Sequence, residues 1–280
     1  MSGGQTCPDT RPLRMPRVLS DLRTRLRARA RTALASRGIE VRRTRGARQT
    51  LPAILAHYRE LGFAPNVVFD VGVGPGTPEL YAGFPDARLV LVEPLEEWGP
   101  HFEWVRRGRD TETIFAAAGA TPGEVEIFVD RAPWCSSVFG GLRGEDTEGA
   151  RRSVPVVRLD DVARERELVG PFVVKADVEG AELDVLSGAL DVLRATELVL
   201  MEVSLFELIP GAPQFHDVVL WMHDHGFAVA DLFDPQNRPL DGALARLDVA
   251  FVQEDGRFRQ NHSYATSDQL DALYASWGLS

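Results

Sequence analysis

The sequence predicts a mixed α/β domain: a mostly parallel, seven-stranded sheet between two layers of helices, closed by an antiparallel C-terminal hairpin. Three observations carry this. From residue 50 onward, short runs rich in Val, Ile and Leu alternate with stretches of helical period, the pattern of parallel strands joined by crossover helices. The first run, VVFDV, feeds a glycine-rich turn, GVGPGT, as ligand-binding turns of open sheets do. The last two runs, FAVADLF and RLDVAFVQE, follow a helix closed by Gly226 and read as an antiparallel pair.

Taken in order, LPAILAHYRELGF reads as a lead-in helix and NVVFDV as the first strand. TPELYAGF opens the first crossover helix, with Thr77 as N-cap and Pro78 in the first turn. RLVLVEP is the second strand, EWGPHFEWV begins the next helix, and TIFAAAGA is the third strand. EVEIFVD and SVPVVRLDDV read as extra strands flanking the glycine-rich loop FGGLRGEDTEGA. PFVVKADVEG is the fourth main strand with its turn, after which Leu183, Leu186, Leu190 and Leu193 mark one core-facing helical stripe. ELVLMEVS is the fifth strand, and FHDVVLWMHDHG is a helix. The chain shows no internal repeat.

At 280 residues and 44% hydrophobic content, the chain is long enough for one sizeable core. Its charge is uneven. Residues 1–50 carry thirteen arginines against Asp9, Asp21 and Glu40, whereas the whole chain has a net charge of −10. Residues 1–49 therefore read as a basic extension, mobile or partly helical, suited to a peripheral membrane or protein contact. Residues 50–280 form the acidic domain, and this body argues against nucleic acid as the main substrate. Cys7 and Cys135 fit neither a disulfide framework nor a zinc site, so a reducing cytoplasm is the expected setting. No apolar run reaches transmembrane length, and no apolar signal core stands near residue 1.

The glycine turn narrows the ligand. A dinucleotide fingerprint counted from Gly72 would place its third glycine at position 77, which is Thr77. The glycines present are Gly72, Gly74 and Gly76, and Pro75 removes one N–H donor. Asp70 ends the strand two residues earlier, where a carboxylate repels a pyrophosphate and attracts an ammonium or sulfonium. The turn thus suits a cationic cofactor such as S-adenosylmethionine, with Asp70 near its amino-acid end. Glu93, at the end of the second strand, stands where an acid grips ribose hydroxyls. Ala117, in TIFAAAGA, is a further cofactor-lining candidate.

Open sheets bind ligands beyond the carboxyl ends of their strands. Strand four ends in Lys175, Asp177, Glu179 and Glu182, and strand five in Glu202. Lys175 is the sole lysine among 31 basic residues, a position where arginine's planar fork does not serve. Asp177 and Glu179, supported by Lys175 and neighboured by Glu202, form the expected catalytic rim, able to position a hydroxyl and take its proton. The same carboxylates can bind a hard cation, but Lys175 already supplies positive charge, and no metal is expected. Glu182 opens a helix, where an acid favours the N-terminal dipole without further purpose. His216, His223 and His225 read as solvated or capping groups. Trp134, Ser136 and Ser137 sit in a loop suited either to cover the ligand or to pack.

VVFDVGVGPGT, LVLVEP, TIFAAAGA, VPVVRLDDV, FVVKADVEGAELDVLSGA and LVLMEVS, in this order, resemble the FkbM family of S-adenosylmethionine-dependent methyltransferases. The resemblance spans roughly Asn66 to Glu254 and is most specific in the K-x-D-V-E-G-A-E block. Val73, Gly74 and Pro75 depart from the family's D-V-G-A-N-x-G. The resemblance implies a class I (Rossmann-like) methyltransferase fold and O-methylation of a hydroxyl on a sugar, glycolipid or natural product. Two other readings stay open: a nicotinamide-dependent oxidoreductase, and a methyltransferase-like module that binds without transferring.

Overall fold

The computed structural model describes residues 48–129 and 150–278. The basic extension, both cysteines and the loop with Trp134, Ser136 and Ser137 lie outside the described residues. Among those described, the main sheet has seven strands. They are β1 (Val67–Val71), β2 (Arg88–Val92), β3 (Thr111–Ile114), β7 (Phe172–Ala176), β8 (Thr196–Ser204), β9 (Phe227–Asn237) and β10 (Leu244–Gln253). The order is β3-β2-β1-β7-β8-β10-β9. All neighbours are parallel except β10, which runs antiparallel to both β8 and β9. The expected parallel sheet with its terminal hairpin is therefore what forms.

Strand alternation sorts the core into two layers. On one face, Val68, Leu89, Leu91, Val173, Leu198, Leu200 and Ala250 meet helix α1 (Leu51–Glu60), helix α2 (Pro78–Gly83), a 3₁₀ turn (Glu96–Phe102) and helix α3 (Glu103–Arg106). On the other, Phe69, Val90, Val174, Val199, Val249 and Phe251 meet four further helices. These are α4 (Leu159–Glu165), α5 (Glu182–Ser187), α6 (Leu190–Arg194) and α7 (Phe215–Asp224). Three layers result, with β1 and β7 buried in the middle, which is why their sequences are nearly all apolar.

Four local expectations need correction. TIFAAAGA is not one strand: β3 stops at Ile114, and Ala117–Ala118 form β4, which joins a second sheet in the order β4-β6-β5. That sheet contains the two extra strands, β5 (Gly123–Val129) and β6 (Ala150–Val157). SVPVVRLDDV is likewise divided, because LDDV starts α4; Asp160 there accepts the backbone N–H groups of Asp191 and Val192. The leucine stripe is broken at Gly188, whose Cβ position lies 2.0 Å from the carbonyl oxygen of Gly119. One continuous helix gives way to α5 and α6, leaving Leu190 40% exposed. Finally, Pro78 takes the first turn of α2, but the Thr77 side chain makes no capping bond.

Candidate active site

The carboxyl ends of β1, β2 and β7 are stitched together by their backbones. Gly72 N–H donates to Val92 O, and Asp177 N–H donates to Val71 O, each at 3.0 Å. Gly72 sits at φ 73°, and a Cβ there would lie 1.8 Å from the Asp177 carbonyl oxygen. The first glycine thus serves the junction of two strands. Gly74 (φ 52°) has nothing within 4 Å of its Cβ position, so this part of the turn borders open space. That space is a cavity of about 320 Å³ at the strand ends. It runs from the glycine turn past Glu93, Pro94 and Trp98 to Ala116–Ala118, and on the other side to Lys175, Asp177, Glu179 and Asp248. The departure of the chain from β3 to β4 is what lays Ala117 along its wall.

Glu93 is buried and both its oxygens are engaged. One accepts Gly74 N–H and the other Leu95 N–H, both at 2.9 Å. Burial pushes its pKa up, against those two bonds. It therefore anchors the turn as well as lining the cavity. Asp70 is fully buried and does not line the cavity. Its Oδ2 accepts the Tyr81 hydroxyl at 2.6 Å, and its Oδ1 lies 3.6 Å from Lys175 Nζ. Asp70 sits behind the glycine turn, so its charge reaches the cavity through Lys175.

Period two puts Asp70, Lys175, Glu202, Arg246 and Asp248 on one face of the sheet, the face that carries α1 and α2. In register, Asp70 pairs with Lys175, and Glu202 with Asp248. Lys175 reaches Asp177 Oδ2 at 3.1 Å. Burial works to lower the Lys175 pKa, but Asp177 and Asp70 outweigh it, and the ammonium is held charged. Arg246, absent from the sequence-based site, is the second cation. Its guanidinium contacts Glu179 at 3.0 Å and Glu202 at 2.9 Å, with only 12% of the side chain exposed. Gln236 donates to the other Glu202 oxygen.

The expected rim residues therefore do converge, each with a distinct environment. Asp177 is the most open, with a side chain 39% exposed against 13% for Glu179 and 16% for Glu202. Glu179 occupies the left-handed region at φ 53°, rare for a residue with a side chain. Burial raises its pKa against Arg246. Burial, with repulsion from Asp177, raises Glu202 to about 7. One carboxylate oxygen from each of Asp177, Glu179 and Glu202 lies within 4.8 Å of the others; Arg246 pairs with Glu179 and Glu202, and Lys175 with Asp177. Glu182 stays apart: buried at the start of α5, it accepts Val178 and Gly180 N–H groups and shapes the turn. The histidines of α7 assemble no cluster among the described residues, and His225 stacks on Trp221 at 3.6 Å.

Sequence reasoning missed Tyr81, Trp98, Arg246 and Asp248. Only the last pair left a signal: charges at i and i+2 of a strand whose alternate residues, Leu247, Val249 and Phe251, are core.

A family model described as a methyltransferase FkbM domain matches residues 70–229. No curated protein matches the chain significantly. Among solved structures, the fold is similar to that of 1,6-didemethyltoxoflavin-N1-methyltransferase from Burkholderia thailandensis. That pair shares 15% identity over 88% of this chain and 93% of that one, with a TM-score of 0.38. Magnesium protoporphyrin IX methyltransferase from Synechocystis PCC 6803 aligns at 11% identity over 72% and 77% of the chains (TM-score 0.39). N-methyltransferase NodS from Bradyrhizobium japonicum WM9 aligns at 8% over 72% and 93% (TM-score 0.40).

Proposed function

The chain belongs to the FkbM methyltransferase family, whose model matches more than half of it, and on that premise we propose that it is an S-adenosylmethionine-dependent O-methyltransferase. The acceptor is a hydroxyl of a sugar, glycolipid or natural product. One observation supports this most: a single cavity joins the glycine turn and Glu93 to the charged rim at Lys175 and Asp177. A transfer enzyme needs such continuity between donor and acceptor. Its volume of about 320 Å³ lies at the lower end of small-molecule sites, roughly 300–1,000 Å³.

The residues present fit the cofactor. The space beside Gly74, which a Cβ would fill, admits a ligand close to the backbone, and Glu93 retains lone pairs toward the cavity for ribose hydroxyls. The cofactor supplies an electrophilic methyl group on a positively charged sulfur. The chain's own contribution is placement: Asp177 and its carboxylate neighbours hold the acceptor oxygen. Such positioning is worth roughly 7–11 kcal/mol of barrier. No helix among the described residues is long and apolar enough to cross a membrane.

Calorimetric titration with S-adenosylhomocysteine and with NAD(H), followed by a transfer screen using methyl-labelled cofactor over glycan, lipid and small-metabolite fractions, tests the reading. Binding of S-adenosylhomocysteine and label in one of those fractions is expected. Tight NAD(H) binding without S-adenosylhomocysteine binding, or label confined to protein or RNA, rejects it. Binding without any turnover would favour a non-catalytic module.

A further inference from the structure

The rim offers several carboxylates, and a general base has to be one that faces the cavity with its lone pairs uncommitted. Glu202 is bonded by Arg246 and Gln236, and Glu179 by Arg246. Asp177 has its Oδ2 on Lys175. Asp248 differs from all three. It lines the same cavity from the antiparallel strand β10, and among the described residues its carboxylate makes no hydrogen bond and no ion pair.

We propose that Asp248 is the general base that takes the proton of the acceptor hydroxyl, while Asp177, pinned by Lys175, positions that hydroxyl. The proposal rests on the methyltransferase reading and deepens it. In the step, the proton passes from the acceptor hydroxyl to an Asp248 oxygen. The O–H electron pair stays on the acceptor oxygen and forms the new O–CH₃ bond, as the methyl carbon releases its bonding pair to sulfur. The product side is then a methyl ether, a neutral thioether and a protonated Asp248, which returns its proton to water.

The surroundings suit this role. The charged groups around Asp248 are Asp177 and Lys175 from β7 and its turn, Asp234 from β9 and Glu202 opposite it on β8, with Arg246 two residues before it on the same face of β10. Burial, followed by the Asp177 charge, pushes the Asp248 carboxyl up to about 7, with Lys175 opposing. A base with this affinity for protons is matched to neutral pH. Lys175 provides the counterweight: it lies two strands away across β8, charged and already bonded to Asp177, so it moderates the site without neutralising Asp248.

The test begins without an acceptor. In the full chain labelled with ¹³C at aspartate side-chain carboxyls, an NMR titration from pH 4 to 9 should show one aspartate with a midpoint near neutrality. That signal should vanish in Asp248→Asn and remain in Asp177→Asn with a lower midpoint, because the repulsion from Asp177 is gone; sequential assignment in the wild type gives the same answer if a variant does not fold. If every aspartate titrates below about pH 5.5, or if the neutral signal belongs to Asp177, the proposal is overturned. The second arm measures transfer of labelled methyl to the glycan and small-metabolite fraction. Wild-type rate should rise about tenfold per pH unit below neutrality. Asp248→Asn should lose roughly 10²–10⁴-fold and that pH limb together, with S-adenosylhomocysteine binding by calorimetry intact. Near-normal transfer in Asp248→Asn defeats the assignment alone, whereas a wild type that binds no S-adenosylhomocysteine defeats the methyltransferase reading beneath it.

Discussion

On the β1–β2 side of the cavity, acids are held by neutral donors: Glu93 by two backbone N–H groups and Asp70 by the Tyr81 phenol. On the β8–β10 side they are held by a cation, Arg246, or by nothing at all, as with Asp248. Lys175 stands on the border and touches both Asp70 and Asp177. The difference teaches how to tell scaffold from site within one acidic rim. A carboxylate that accepts backbone N–H groups fixes a turn, and its orientation is set by the backbone. One balanced by a charged side chain stays responsive to pH and to a ligand. The first side should therefore answer to mutation through the shape of the turn, and the second through its balance of charge.

The largest effect is expected at Gly72. Its φ of 73° and the 1.8 Å approach of Asp177 O both forbid a side chain. Gly72→Ala should cost more than about 4 kcal/mol, enough to bring the urea midpoint close to zero. Gly74 shares the left-handed backbone but not the clash, so Gly74→Ala should cost only about 1–2 kcal/mol. Equal losses at the two positions would break the claim that the first glycine joins strands and the second admits a ligand. Next comes Arg246→Met, which removes the cation from two largely buried carboxylates and should cost about 3–5 kcal/mol at pH 8. The loss should shrink at pH 5, because Glu202 and Glu179 both have raised pKa values and can take protons. A loss independent of pH would mean that Arg246 acts by packing alone.

The sequence exposed one side of this comparison far better than the other. Asp70, the glycines and Glu93 stand in or just after contiguous strands, and Lys175, Asp177 and Glu179 fall at alternate positions within five consecutive residues. Local spacing alone brings such residues to one rim. Arg246 and Asp248 reach it only through an antiparallel register that sets Asp248 opposite Glu202, and no local pattern reports which residue of a distant strand lies opposite. A polar residue at every second position also describes an ordinary edge strand. The leucine stripe failed for a related reason: helical period continued through Gly188, and the contact with Gly119 that ends α5 is long-range. Asp70 was found but misplaced, because sequence gives the strand end and not the depth of the side chain.

Asp248→Asn probes the responsive side by a smaller step. The folded-state carboxyl titrates at about 7, above the unfolded value of about 3.9. Between those values the folded chain binds the extra proton, so wild-type stability falls as pH rises from about 4 to 7. Asparagine mimics the protonated form and lacks this slope. The variant should match the wild type near pH 4 and exceed it by about 2–4 kcal/mol at pH 8, read from urea denaturation at both pH values. A variant less stable than the wild type at pH 8 would show that Asp248 has a partner which stabilises its charge.

Glu93→Gln should have the smallest effect on stability and is the sharpest test of the other side. Two backbone N–H groups, from Gly74 and Leu95, each point at one carboxylate oxygen. An amide offers one oxygen, so its NH₂ end must face a donor and one backbone bond is lost. The cost is about 1–3 kcal/mol, the range for a buried group left unmatched. Burial raises the Glu93 carboxyl against its neutral donors, so wild-type stability falls as pH rises through its titration, and the loss in Glu93→Gln should be larger at pH 5 than at pH 8. The turn it anchors also borders the cavity, so S-adenosylhomocysteine affinity should fall as well, by about tenfold for each 1.4 kcal/mol of binding lost. The two readouts separate the roles of this residue. Weaker binding with stability unchanged would make Glu93 a ligand contact only, and the turn would owe its shape to its glycines. Reduced stability with binding intact would make it scaffold only, moving the ribose contact to another residue of the cavity wall.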